Sequence, residues 1–161
     1  MAEKNRLAWT EQVSLNLLRI VAGFLFWQHG AQKLFGVLGR DAPVDFFTLM
    51  GLAGVLEFVG GIFLVLGLFT RPVAFILSGQ MAWAYFQAHA PNDFWPIMNR
   101  GELAALYSFL FLYIAARGGG VFGIDGLLKM RKGKRPPSTP KTAPSEQAPP
   151  DDDFPELSEE D

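Results

Sequence analysis

Four long apolar runs, at about 14 to 37, 46 to 69, 72 to 90 and 101 to 117, follow one another along the chain with short polar, glycine- or proline-bearing breaks between them. Each approaches the roughly 20 residues that a helix rising about 1.5 Å per residue needs to cross about 30 Å of hydrocarbon. A soluble domain spreads its apolar residues through shorter amphipathic elements, so blocks of this length predict membrane-spanning helices. The breaks agree. Asp41 is placed to cap the second helix, and Pro43 falls in its first turn, where no intrahelical hydrogen bond is lost. Thr70, Arg71 and Pro72 read as a tight reversal. Pro91, Asn92, Asp93 and Pro96 stop the third run, with Phe94 and Trp95 suited to a membrane interface. Asn99 stands three residues before Glu102, the spacing of a capping box. Short links make successive helices antiparallel neighbours. The expected fold is therefore all-α: an integral membrane up-down four-helix bundle over residues 14–130, preceded by a cytoplasmic segment, 1–13.

The polar residues that interrupt these runs carry the functional signal. Glu57 lies in the middle of the second run, and an ionisable group at that depth costs several kcal/mol unless it faces a protein partner or an aqueous cavity. Arg19, His29 and Lys33 interrupt the first run, Gln80 and His89 the third, and Glu102 opens the fourth. Counted from the inner boundaries at about 1.5 Å per residue, His29, His89 and Glu102 fall roughly 22 to 26 Å above the cytoplasmic edge, Glu57 at about 18 Å and Lys33 near 28 Å. They share one level, so three or four helices can contribute to a single polar site in the outer half of the bundle. His29 and Lys33, at i and i+4, lie on one helix face beside Gln32. Gly54, Glu57 and Gly61 share a face of the second helix, so a neighbouring helix or a flat ligand can approach the acid closely. Arg19, only about 8 Å from the inner edge, is expected to snorkel to headgroups and to stand outside this site.

Plainer readings stand beside each of these. Lys33 near a helix end is placed to snorkel, Glu102 to complete the capping box, His29 to hydrogen-bond across the bundle, and Glu57 to act as a protonated link between helices. The aromatics, Trp27, Trp83, Tyr85, Phe86, Tyr107 and Tyr113 among them, read as packing or lipid-facing residues.

Composition and charge refine the picture. Half of the residues are apolar, and cysteine is absent, which removes disulfides, thiolate metal sites and thiol relays together. The first run is too long and too polar in its outer half for a cleavable signal. If the spans alternate, Lys4, Arg6, Arg71, Arg117 and the cluster Lys129, Arg131, Lys132, Lys134 and Arg135 fall on one side, against Arg40 and Arg100 on the other. The positive-inside rule then makes both termini cytoplasmic, and with no organelle address the simplest setting is a bacterial inner membrane. From residue 131 the chain turns basic, then proline-rich and acidic, a composition expected to form a disordered cytoplasmic tail. The lipid bilayer is the first expected partner, the basic cluster adds affinity for anionic lipid, and nucleic acid is not expected.

The blocks Arg19-x3-Gly23-x2-Phe26-x2-His29-Gly30-x2-Lys33-Leu34-Phe35-Gly36, then Glu57-x2-Gly60-Gly61-x2-Leu64-x2-Gly67-Leu68-x-Thr70-Arg71, then His89-x4-Phe94-Trp95-Pro96-x2-Asn99-x-Gly101-Glu102, resemble the DoxX family of four-helix bacterial membrane proteins. The likeness extends over roughly residues 14 to 126, including the glycine triplet after the fourth run and Asp125. What the resemblance implies is membrane redox chemistry: relatives serve as small subunits of a thiosulfate:quinone oxidoreductase or of oxidoreductase complexes linked to oxidative stress. The positions that match its motifs are His29, Lys33, Glu57, His89, Asn99 and Glu102.

Residues and resemblance meet in a quinone site. A quinone headgroup offers two carbonyl acceptors and takes up two protons on reduction, so it needs donors such as His29 or Lys33 and a proton carrier such as Glu57 or Glu102, with His89 and Asn99 as further polar contacts. Haem between His29 and His89 is a weaker reading of the same depth. Without a visible electron carrier the chain is at most a non-autonomous oxidoreductase subunit that borrows its redox partner. Two other classes compete: a small-solute or proton-coupled transporter, widened by homo-oligomer packing through glycine faces, and a non-catalytic anchor or assembly factor for a soluble redox enzyme.

Overall fold

The computed structural model describes residues 2–133, and among them every regular element is helical. The expected disordered tail lies outside the described residues from 134 onward. Helix α1 spans Ala2–Phe35, α2 Leu49–Leu66 and α3 Thr70–Ala84, the last continuing through a π-helical turn, Tyr85–His89. A short helix α4, Pro96–Asn99, precedes α5, Glu102–Arg117, and α6 covers Ile124–Gly133. Helix α1 packs along α2 and α3 along α5, with α2 and α3 joining the pairs. Phe26, Leu64, Leu77, Phe111 and Ile114, each no more than 1% exposed, meet at the centre.

Several local expectations are corrected. Helix α1 runs from Ala2 into the apolar run that begins at about 14, so the N-terminal segment is helical too, because residues 2–13 contain neither glycine nor proline to stop it. Asp41 and Pro43 do not open α2. The connection folds back onto α1, with Val44 N–H donating to the Lys33 carbonyl at 2.8 Å, and Thr48 caps α2 by accepting from Gly51 N–H at 3.1 Å. The capping box at Asn99 does not form either. Gly101 precedes α5, and Asn99 Oδ1 instead takes the Gly101 N–H at 2.7 Å. Of the described helices, α2 alone is long and apolar enough to cross a membrane by length and composition, with α5 ending at 16 residues.

Glycine sets how closely α1 and α2 approach. A Cβ on Gly61 would stand 2.7 Å from both the Gly23 carbonyl oxygen and Trp27 N, and one on Gly54 would meet Lys33 Cβ at 3.0 Å. The neighbour that the small face of α2 admits is thus α1 itself. This brings Lys33 over Glu57.

The opposite end of the bundle is tied by two charged residues. Arg19 is fully buried rather than snorkelling: Nη1 donates to the Leu64 and Val65 carbonyls, the latter at 3.0 Å, and Nη2 to Asn16 Oδ1 at 3.2 Å. Carbonyls in the last turn of α2 have acceptor capacity left over, and the guanidinium takes it up. Gly67, at φ 67°, ends α2 with N–H bonds from Gly67 to Leu64 and from Leu68 to Phe63. Asp125 from α6 then caps α3, accepting from Phe69 N–H at 3.0 Å and Thr70 N–H at 2.8 Å.

Candidate functional site

A cavity of about 610 Å³ opens between α1, α2, α3 and the start of α5. Its walls are mainly apolar, with Phe26, Met50, Met81, Trp83 and Leu103 among them, and its polar groups converge from three helices. His29 and Lys33 come from α1, Glu57 from α2, Gln80 and His89 from α3 and its π turn. Tyr107 of α5 adds a buried phenol, held by ring contacts to Phe26 and Phe111.

Glu57 is the centre of this arrangement. It is 1% exposed, and Lys33 Nζ donates to both carboxylate oxygens, at 2.5 and 2.6 Å. Gln80 Nε2 adds a third contact to Oε1 at 3.1 Å and touches the Ala53 carbonyl at 3.3 Å. A carboxylate with three N–H contacts and a cation against it has the counter-charge that burial demands. The lysine keeps 19% of its side chain exposed, against 2% for the acid, so the pair has one buried side and one that faces the cavity. Gln80 Oε1, by contrast, is buried with no hydrogen-bond partner. Among the described residues it is a buried acceptor left unpaired next to the ion pair.

His89 is positioned by backbone. The π turn, closed by Ala90 N–H donating to the Tyr85 carbonyl at 2.9 Å, adds a residue to the last turn of α3 and carries His89 onto the cavity wall. Its Nδ1 lies 3.1 Å from the Asn99 carbonyl oxygen. A carbonyl only accepts, so Nδ1 bears the proton and Nε2 is left as an acceptor. Gly101 makes room: a Cβ there would stand 2.8 Å from His89 Cβ and 2.7 Å from Tyr85 Cε2.

Of the residues singled out in the sequence, the structure brings His29, Lys33, Glu57 and His89 around one cavity. Asn99 is buried behind His89 and does not line it, and Glu102 is exposed at the first turn of α5, also outside the lining. Gln80 was visible as a polar interruption of the third run, but nothing in the sequence paired it with Glu57. Tyr107 gave no signal beyond that of a packing aromatic.

Fold and cavity together define a class: an all-helical bundle with an apolar-walled cavity lined by a buried glutamate, its lysine partner and two imidazoles, His29 exposed and His89 half-buried. Comparison with known proteins makes this more particular. The DoxX family model matches residues 14–90. An uncharacterized protein of Haemophilus influenzae is 48% identical over 118 residues, which cover 69% of this chain and 87% of the relative. A Bacillus subtilis protein named "Putative oxidoreductase CatD" is 25% identical over 121 residues, 71% of this chain and 86% of its own. No solved structure matches the chain. The chain belongs to the DoxX family, whose members are membrane-associated.

Proposed function

We propose that this protein is a four-span subunit of the bacterial inner membrane, with both termini cytoplasmic, that serves an oxidoreductase system and receives a quinone headgroup in the Glu57 cavity. The observation that carries the reading is the convergence of Lys33, Glu57, Gln80, His29 and His89 on one apolar-walled space of about 610 Å³, within the roughly 300–1,000 Å³ of small-molecule sites. The membrane setting is supported by the outward faces of the helices. Leu52 and Val59 on α2, Phe75 and Ile76 on α3, and Leu106 and Phe109 on α5 are each 43 to 72% exposed, a surface that suits lipid.

The donor set fits the ligand. A quinone, when bound, supplies two carbonyl oxygens that accept electrons from a redox partner and protons from the site. Lys33 and His29 are placed to donate to one oxygen. Nε2 of His89 is placed to accept from the hydroxyl form, so the same walls can hold either redox state. Glu57 holds Lys33 in place and is the group that can pass a proton inward. The fuller redox chemistry belongs to the partner, since the chain has no cysteine to hold an iron-sulfur cluster. The Bacillus subtilis relative's printed name is in keeping with this assignment.

The test is purification from native membranes in mild detergent, with solvent extraction for quinone and mass spectrometry for partners, of wild type, Glu57→Gln and Glu57→Leu. We expect quinone and an oxidoreductase to accompany the wild type, both variants to assemble, and both to lose quinone-dependent turnover. A fully active Glu57→Leu protein, or a wild type that carries neither quinone nor a redox partner, refutes the reading.

A further inference from the structure

At the other end of the bundle a second groove, of about 450 Å³, runs between the start of α3, the end of α5 and α6. Its cations are Arg71 in the first turn of α3 and Arg117 in the last turn of α5, and its floor is the glycine triplet 118–120. Gly118 and Gly120 have φ of 84° and 72°, so the loop needs residues without a side chain, and it presents bare backbone. Arg71 lies over this loop: a Cβ on Gly118 would meet its Nε at 3.0 Å. Arg117, which immediately precedes the loop, lines the same groove. Arg71 is exposed and makes no hydrogen bond or ion pair with the described residues. Among the described residues Arg117 makes an exposed 3.4 Å contact with Glu11, the kind of pair that contributes little.

The acid in the groove does not serve as their partner. Both oxygens of Asp125 are taken by the Phe69 and Thr70 N–H groups, which also removes the start of α3 as the source of attraction. One unpartnered guanidinium, Arg71, and one held only by a weak exposed pair, Arg117, beside a glycine loop suit a planar or tetrahedral oxyanion, phosphate above all. The rim is apolar: Phe69, Val121 and Leu128 line it and are 61, 43 and 48% exposed. A free phosphate ion gains nothing from such a rim. The headgroup of a lipid, with acyl chains beside it, does.

We propose that Arg71, Arg117 and the 118–120 loop form a phosphate site that holds an anionic phospholipid headgroup at the cytoplasmic end of the bundle. The site relies on the membrane reading for the surface it meets, and not on the quinone assignment. The basic sequence cluster Lys129, Arg131 and Lys132 also attracts anionic lipid by its charge, so the test treats it separately.

The test uses the full chain in phosphatidylcholine nanodiscs with and without phosphatidylglycerol, read by native mass spectrometry for retained lipid and by the thermal midpoint. We expect wild type to keep phosphatidylglycerol and to melt several degrees higher with it, and Arg71→Gln/Arg117→Gln to bind it about tenfold more weakly or worse and lose the rise. Arg71→Gln alone, at an exposed side chain without partners, carries the same expectation in smaller measure should the double variant not fold. A wild-type midpoint raised as much by inorganic phosphate in plain phosphatidylcholine discs keeps the phosphate site and overturns the lipid as its carrier. Equal phosphatidylglycerol retention by wild type and the arginine variants, or its loss only when Lys129, Arg131 and Lys132 are neutralised, overturns the site.

Discussion

Replacing Lys33 by methionine keeps an unbranched side chain one atom shorter, and its Cβ packing against Gly54, while removing the cation from Glu57. The acid is 1% exposed and receives 2.5 and 2.6 Å contacts from that lysine, leaving only the Gln80 amide once it is gone. Breaking a buried pair from one side costs about 3–5 kcal/mol, because the remaining charge stays buried without compensation. Glu57→Leu is milder, about 1–3 kcal/mol, since Lys33 keeps 19% of its side chain exposed and can turn toward the cavity. The double variant Lys33→Met/Glu57→Leu replaces the pair with apolar groups of similar volume and is expected within about 1 kcal/mol of wild type. The cycle therefore predicts a coupling of about 3 kcal/mol or more, where unlinked sites add to within about 0.5 kcal/mol. Equilibrium unfolding in mixed micelles, followed by far-ultraviolet circular dichroism at fixed detergent composition, measures all four proteins. Single-variant losses that simply add in the double variant would refute the pair as the organising contact of the cavity.

Asp125→Ala removes the acceptor for two N–H groups at the start of α3, and a loss of about 1–3 kcal/mol is expected in the same unfolding assay, with Asp125→Asn recovering part of it. Gly61→Ala places a Cβ 2.7 Å from the Gly23 carbonyl oxygen and should cost about 1–3 kcal/mol, whereas Gly79→Ala meets nothing within 4 Å and should be neutral or stabilising by up to about 1 kcal/mol. Similar melting shifts for the two would argue against glycine-limited packing of α1 on α2. Because the chain has no cysteine, Asn92→Cys and Lys4→Cys report topology directly: an impermeant maleimide should label the first in intact cells and the second only after lysis. Labelling of Lys4→Cys in intact cells reverses the orientation.

Much of this protein is written in its one-dimensional pattern. Blocked apolar runs with glycine and proline breaks determine helices through the described residues, because helix is the structure that satisfies every backbone group within one segment. The outlying polar residues were legible for the same reason: Glu57 in the middle of an apolar run has to be matched by something, and His29, Lys33 and His89 were at a depth to match it. Local motifs misled where a distant contact was stronger. Asp41, Pro43 and Asn99 carry real capping chemistry, but Thr48 starts α2, and α3 is capped by Asp125, 55 positions beyond Thr70. Arg19 looked like a headgroup anchor until the carbonyls of Leu64 and Val65 were brought beside it. Only the tertiary structure could select Lys33 and Gln80 as the partners of Glu57, orient His89 through the Asn99 carbonyl and leave Glu102 outside. Those outcomes depend on the rotation of each helix about its axis, which the packing of Gly23 and Gly54 against the facing helix decides and which no residue pattern along a single helix contains.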